Sequence, residues 1–341
     1  MPGLPDLNRV LFKPLANVQN GGCHMDVYLP ESTKNSVLDE PCPVAILVHG
    51  GSWVIGASTD IQPDSVNYLL RAGIAVVSLE YRLAPQVKVV DCVQDCLDGY
   101  RFVTDGRLSI ALNQQLEQSQ YRTLDLNKVS IVGYSAGAHL VSCMISKLPS
   151  LGLSPPRCMI LFYGPSKLDE LSPGPAAAWE QARELKPQEV AFAEMSYHGE
   201  VTTSVPIIGE TKAITPRRAF LGITAQLNNL HSLIAAPTDG SEDNSRINLS
   251  AYYLATAAYP PTFLSWGDKD TLVPPCQNEF LRDKLLELKV ETRWAIATDG
   301  IHGYAEREFR ESRAPDGSWW VQAIQPAFDF LLCKVGISTA L

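Results

Sequence analysis

The sequence predicts an α/β protein: a mostly parallel central sheet covered by helices on both faces, with a helical insertion. Three observations predict it. Short, mostly apolar runs rich in aliphatic and β-branched residues alternate with segments of helical periodicity, as expected of strands buried on both faces. Several of these runs stop at glycine-rich turns just before a helix-type stretch, which is the order of a βα unit. One long span, 164–260, carries helical patterning but no run suited to the sheet.

Residues 26–29 (DVYL) read as a short strand closed by Pro30, and the polar, turn-rich segment 32–43 follows. Residues 44–48 (VAILV) are a buried strand that ends at His49-Gly50-Gly51. The spacing predicts a helix over 61–72, stopped by Gly73, and then a strand over 74–79 (IAVVSL). Apolar residues Cys92, Cys96, Tyr100 and Val103 fall on one face of a helix over 92–103, and 114–122 is polar and exposed. A strand over 129–132 leads through Gly133 into a helix over 138–148. Strands are expected at 159–163, 262–266 and 293–297, with a closing helix around 321–332. Inside the long span, 176–185 and 218–233 have helical patterning and 239–246 (DGSEDNSR) is a polar loop. The expected organisation is therefore a core in two parts, 1–163 and 261–341, with 164–260 inserted as a cap over the carboxyl edge of the sheet.

Composition bounds the function. The chain has 341 residues, 45% hydrophobic and 19% charged, which suits a globular protein with a large core. A net charge of −9 argues against nucleic acid or an anionic membrane as the main partner. No apolar run follows a basic start and none approaches about 18 residues, so neither a signal peptide nor a membrane span is expected and the location expected is cytoplasmic. The eight cysteines are scattered and read as reduced, mostly buried thiols. Cys92 and Cys96 lack the two further ligands at close spacing that zinc would need, so no metal is expected.

The chemistry is carried by four turns. Gly133-Tyr134-Ser135-Ala136-Gly137 puts a hydroxyl between glycines where a strand becomes a helix. A nucleophile elbow needs this arrangement, because the tight turn leaves no room for bulk on either side of the serine. The helix that follows aims its first amides at the site, where negative charge would develop. His49-Gly50-Gly51-Ser52-Trp53, after the VAILV strand, can turn amides toward an oxyanion; Gly51 and Ser52 are the candidate donors, joined by Ala136. His49 reads as a structural residue of that loop. Asp268 and Asp270 compete for the carboxylate after the 262–266 strand. Asp270 is favoured, since it lies three residues past Gly267 and the loop can aim it back over the sheet, whereas Asp268 would cap the turn itself. His302, in Asp299-Gly300-Ile301-His302-Gly303, is the candidate base. The other histidines fit less well: His24 precedes the first expected strand, His139 lies in the helix behind the serine, and His198 and His231 fall in the insertion. Trp53, Tyr134, Phe220, Leu221 and Leu230 are candidates for the wall of a substrate pocket, and equally for plain core.

Together DVYLP, HGGSW, EYRLAP, GYSAGAHL, GDKDTLVP and IHGY, in this order, resemble the α/β-hydrolase superfamily. The resemblance is to the esterase branch of hormone-sensitive-lipase-like enzymes, feruloyl-esterase-like enzymes and kynurenine formamidases. It implies the α/β-hydrolase fold, the catalytic order Ser135, Asp270, His302, and no cofactor. Two departures point toward the feruloyl-esterase and formamidase side: Ser52 stands where lipase-like members carry a third glycine, and Tyr134 precedes the nucleophile where that subgroup has an aspartate. The expected activity is hydrolysis of a small ester or amide through an acyl-enzyme. Alternatives are an arylformamidase, a natural-product tailoring hydrolase or acyltransferase, and a binding protein that has lost the chemistry. The expected partner is the small-molecule substrate, with the chain a monomer or homodimer.

Overall fold

The structure is a computed structural model that describes residues 7–31, 41–116, 122–171, 186–207, 215–217, 219–220, 244–307 and 319–338. Eight strands form one sheet: β1 (Asn8–Pro14), β2 (Gly22–Tyr28), β3 (Cys42–Val48), β4 (Ala75–Leu79), β5 (Leu124–Tyr134), β6 (Met159–Phe162), β7 (Thr262–Gly267) and β8 (Thr292–Ala297). Their spatial order is β1-β2-β4-β3-β5-β6-β7-β8. The first two pairings, β1 with β2 and β2 with β4, are antiparallel, and all the others are parallel. The sheet is thus mostly parallel, as expected, with an antiparallel hairpin at one edge.

The central parallel strands are aliphatic because both of their faces are covered, unlike the edge strand β8, which exposes Trp294 and Ile296. Every residue of β3, CPVAILV, is buried. The helices α1 (Pro63–Arg71), α2 (Val89–Thr104), α3 (Arg107–Gln115) and α4 (Ala136–Lys147) connect the early strands. On one face, α2 packs on α4 and on β1 and β5, and the helix Pro275–Glu287 lies over β7 and β8. On the other face, Tyr68 of α1 sets its ring edge-on to Trp320 and tilted against Phe328, which joins α1 to the closing helix Gln325–Lys334.

Several expectations change. Residues 8–14 form β1, which the sequence reading did not assign: only Val10 and Phe12 face the core while Leu11 is exposed, so no continuous apolar run marks the strand. Its partner β2 starts at Gly22 rather than at 26, and His24 therefore lies within a strand. Residues 107–115 form α3, a helix of low apolar content that buries only Leu108 and Leu112. The segment expected to be exposed, 114–122, is described only at its ends.

Between β6 and β7 the described residues hold the helix α5 (Pro187–Glu194), short turns, and the small helices Asn244–Asn248 and Ala251–Leu254. None of them joins the sheet. The helix expected over 176–185 and most of that over 218–233 lie outside the described residues, as do 239–243 of the expected loop and His231, Leu221 and Leu230. The stretch 201–207 runs along the carboxyl edge of the sheet. There Val205 and Gly56 exchange backbone hydrogen bonds of 2.7 and 2.8 Å, and Gln19 donates to the Val201 carbonyl at 2.8 Å.

Candidate active site

β5 delivers Ser135. The Ser135 amide still donates to Phe162 of β6 at 2.9 Å, so the serine is registered to the sheet. Its backbone is at φ 51°, ψ −118°, a conformation that costs an L residue energy and persists only where the surroundings enforce it. Two glycines make room. A Cβ on Gly133 would lie 2.5 Å from the Cα of Ala138, and one on Gly137 would lie 2.2 Å from the Val48 carbonyl oxygen. The same crowding brings the loop after β3 onto the elbow, since a Cβ on Gly50 would meet Ser135 Cβ at 3.1 Å.

Ser135 Oγ lies 2.8 Å from His302 Nε2. His302 Nδ1 in turn lies 2.7 Å from Asp270 Oδ2. The second carboxylate oxygen of Asp270 accepts the amides of Leu272 and Val273, each at 2.9 Å. Asp270 is 4% exposed and Ser135 is 8% exposed, while the His302 side chain between them is 16% exposed. Asp268, two residues earlier, is exposed. The structure thus brings Ser135, His302 and Asp270 together and leaves Asp268 outside.

The turns that carry Asp270 and His302 interlock through glycines. A Cβ on Gly267 would lie 2.1 Å from the Gly300 carbonyl oxygen, and Lys269 donates its amide to that oxygen at 2.9 Å. Tyr163, just past β6, sets its ring edge-on to the His302 imidazole with centroids 5.0 Å apart, and Tyr304 meets Tyr163 edge-on at 5.3 Å. Tyr163 is a contact that the sequence reading missed. Its positive φ of 41° is a tertiary property with no marker in the chain.

The loop 49–56 is organised by its carbonyls. The Gly50 carbonyl accepts from His49 Nδ1 at 2.8 Å and from the Tyr81 hydroxyl at 3.2 Å. Because the peptide is trans and planar, the Gly51 amide points the opposite way. The Gly51 carbonyl accepts from Val54 and Ile55, both at 3.1 Å, which likewise turns the Ser52 amide away from them. The Ala136 amide opens helix α4 and has no intrahelical acceptor. Among the described residues the amides of Gly51, Ser52 and Ala136 have no hydrogen-bond partner. Positive φ at Gly51, Ser52 and Trp53 completes the turn.

His49 is buried with its ring stacked on Tyr81, and burial pushes its imidazole down to about 4. His139 is likewise pushed down to about 4 by burial and bonds the Leu249 carbonyl through Nε2 at 2.6 Å. Both are therefore neutral at pH 7 and act as fixed parts of the walls. Trp53 packs edge-on to His139, and Tyr134 stacks flat on Phe162 at 5.0 Å; both rings belong to the main core cluster. Phe220 sits in a smaller cluster with Val54, Ile55, Ala84 and Ala193. The cysteines are unpaired, and burial pushes Cys92 and Cys96 well up. Among the described residues no group of three or more His, Cys, Asp or Glu could hold a metal ion, and no helix is long and apolar enough to cross a membrane.

Comparison with known proteins agrees with this architecture. The BD-FAE family model matches residues 25–148, the stretch from β2 through the elbow to the end of α4. A non-reducing polyketide synthase of Acremonium egyptiacum is 26% identical over 326 residues, a match that takes in 90% of this chain but only 14% of the synthase. The chain thus spans about one seventh of the length of that relative. Among solved structures, an α/β-hydrolase superfamily protein of Enterococcus faecalis superposes with a TM-score of 0.63 at 18% identity, covering 96% of this chain and 98% of its own. A thermophilic esterase of Thermogutta terrifontis with propionate bound gives 0.63 at 18% identity, covering 100% and 98%. On its strand order, its elbow and these likenesses, the chain has the α/β-hydrolase fold.

Proposed function

We propose that the protein is a serine hydrolase that cleaves a small ester or amide through an acyl-enzyme. The observation that carries this reading is the unbroken hydrogen-bonded row from Ser135 Oγ through His302 to Asp270, beside amides that have no partner among the described residues. In the proposed reaction Ser135 Oγ attacks the substrate carbonyl while His302 Nε2 takes its proton. Asp270 holds the Nδ1–H tautomer of His302 and stabilises the imidazolium. The amides of Gly51, Ser52 and Ala136 receive the oxyanion. His302 then protonates the leaving group, and a water activated by the same imidazole releases the acyl group and regenerates Ser135. Residues 164–260 act as a cap, a reading supported by the stretch 201–207, which runs along the carboxyl edge of the sheet.

A second reading concerns the acyl group. The curated relatives include polyketide synthases that match nearly the whole chain, which favours a polyketide-type acyl group and a tailoring role. Whether the acceptor is water or an alcohol depends on how well the closed site excludes water.

The test is Ser135→Ala assayed with p-nitrophenyl acetate, alongside a fluorophosphonate label mapped by mass spectrometry. The expected result is turnover reduced by about 10⁴-fold or more, with the label on Ser135 of the wild-type protein and absent from the variant. Activity retained by the variant would refute the serine mechanism. A panel of short acyl, aryl and polyketide-type esters, with an N-formyl aryl amide, then separates the substrate readings.

A further inference from the structure

Arg217 is 9% exposed, and among the described residues its guanidinium meets oxygen acceptors but no carboxylate. It donates to the Val54 carbonyl at 3.2 Å, to the Ala84 carbonyl at 2.5 Å, and to the side-chain oxygen of Gln86. Gln86 passes the connection on, donating to the Ser196 carbonyl. Burial draws the guanidinium down to about 10, which leaves it a cation at pH 7. A buried cation whose described partners are all neutral oxygens is a costly way to fill space, and an apolar side chain would do so with less desolvation. Its acceptors are informative. Val54 is the residue whose amide bonds the Gly51 carbonyl, so the guanidinium fixes the far end of the turn that aims the Gly51 and Ser52 amides. Ala84 is tied to the same turn, because its amide donates to the Trp53 carbonyl at 2.8 Å. The Gly56–Val205 bridge closes the other flank.

We infer that Arg217 is a positioning residue for the oxyanion site: it fastens the inserted segment to the 51–56 turn and to the 84–86 turn, so the amides hold their aim only while the insertion is docked. This rests on the serine-hydrolase reading above. It makes the insertion part of the catalytic apparatus, acting on the transition state and not only on which substrate enters.

The experiment compares Arg217→Met, Arg217→Lys and Gln86→Leu with the wild-type protein, measuring kcat, KM and inhibition by an aryl trifluoromethyl ketone, whose adduct mimics the oxyanion. Arg217→Met is expected to lower kcat and weaken ketone binding by the same factor, about tenfold, with KM within about twofold. Arg217→Lys restores part of both, and Gln86→Leu lowers both by about threefold, so the test stands even if Arg217→Met fails to fold. A raised KM with unchanged kcat would overturn the inference by making Arg217 a substrate contact, and unchanged kcat and ketone affinity would reduce the clamp to packing. An inert Ser135→Ala control beside unaffected Arg217 and Gln86 variants sinks the clamp alone. Full turnover in that control sinks the serine reading and the clamp with it.

Discussion

Asp268 and Asp270 carry the same charge two residues apart, and their surroundings divide their roles. Asp270 is buried, with one oxygen on two backbone amides and the other on His302 Nδ1. Those amides fix the carboxylate in place before the imidazole arrives, so His302 is oriented with little reorganisation. Asp268 is exposed, and its backbone amide bonds the Ala297 carbonyl. Asp270→Asn keeps the shape but removes the charge that stabilises imidazolium, and its amide can favour the wrong His302 tautomer. The expected loss in kcat is about 10³-fold or more, against less than about threefold for Asp268→Asn, measured with the same activated ester. The reverse ranking would assign the acid to Asp268. Tyr163 shows what this scale hides from sequence. Its ring borders His302 only because β6 ends beside β5 and the chain turns there with positive φ, and nothing in the string MILFYG marks that geometry.

At the scale of elements, the chain is most readable where a strand runs into a glycine-rich turn. GYSAG requires small residues because the elbow brings α4 against the backbone of β3 and its loop, and the crowding at Gly133 and Gly137 is the physical content of the pattern. The buried strands β3, β4, β6 and β7 are legible for the opposite reason: with both faces covered every residue is buried, and only small hydroxyl residues such as Ser78 and Ser265 enter the apolar runs. β1 is illegible because it is an edge strand with one face on the core and one in solvent, and seven residues with a single alternation carry little signal. The Gly267–Gly300 contact falls between these cases. Both glycines are visible in the sequence, but their mutual contact is not. Gly267→Ala would drive a methyl group into the Gly300 carbonyl and displace the loop that holds His302. We expect it to lower stability by about 1–3 kcal/mol in urea denaturation and to lower kcat more than it raises KM. An unchanged kcat at reduced stability would mean that the loops relax without moving the imidazole.

Across the whole molecule, one buried polar network links three parts that a strand count would treat separately. Asp26 of β2 and Glu80 after β4 have fully buried side chains, and the partly exposed Arg9 of β1 bridges them with contacts of 2.7 Å to each. The Ser58 hydroxyl donates to Asp26 at 2.5 Å, and the Thr203 hydroxyl, from the inserted segment, donates to Glu80 at 2.8 Å. The edge hairpin, the sheet and the insertion therefore share two carboxylates, for which Arg9 is the principal cation. Coulomb attraction in such a site does not guarantee net stabilisation, since desolvating three charges is expensive. Removing one partner is a different matter, because it strands the others. Arg9→Met fills similar volume with no charge and leaves Asp26 facing the Ser58 hydroxyl, and Glu80 facing the Thr203 hydroxyl with His24 Nδ1 3.8 Å away. The expected cost is about 2–3 kcal/mol, less than for a fully enclosed pair because water reaches Arg9, and it should appear in urea denaturation at pH 7 as a lower midpoint with unchanged slope. Amide exchange should rise around residue 203 as well as along β1, since both ends of the network lose their anchor. A loss below about 0.5 kcal/mol, or faster exchange confined to β1, would show that the hairpin is fastened independently and that the insertion is held by its other contacts, among them those to Gln19, Gly56 and Leu83.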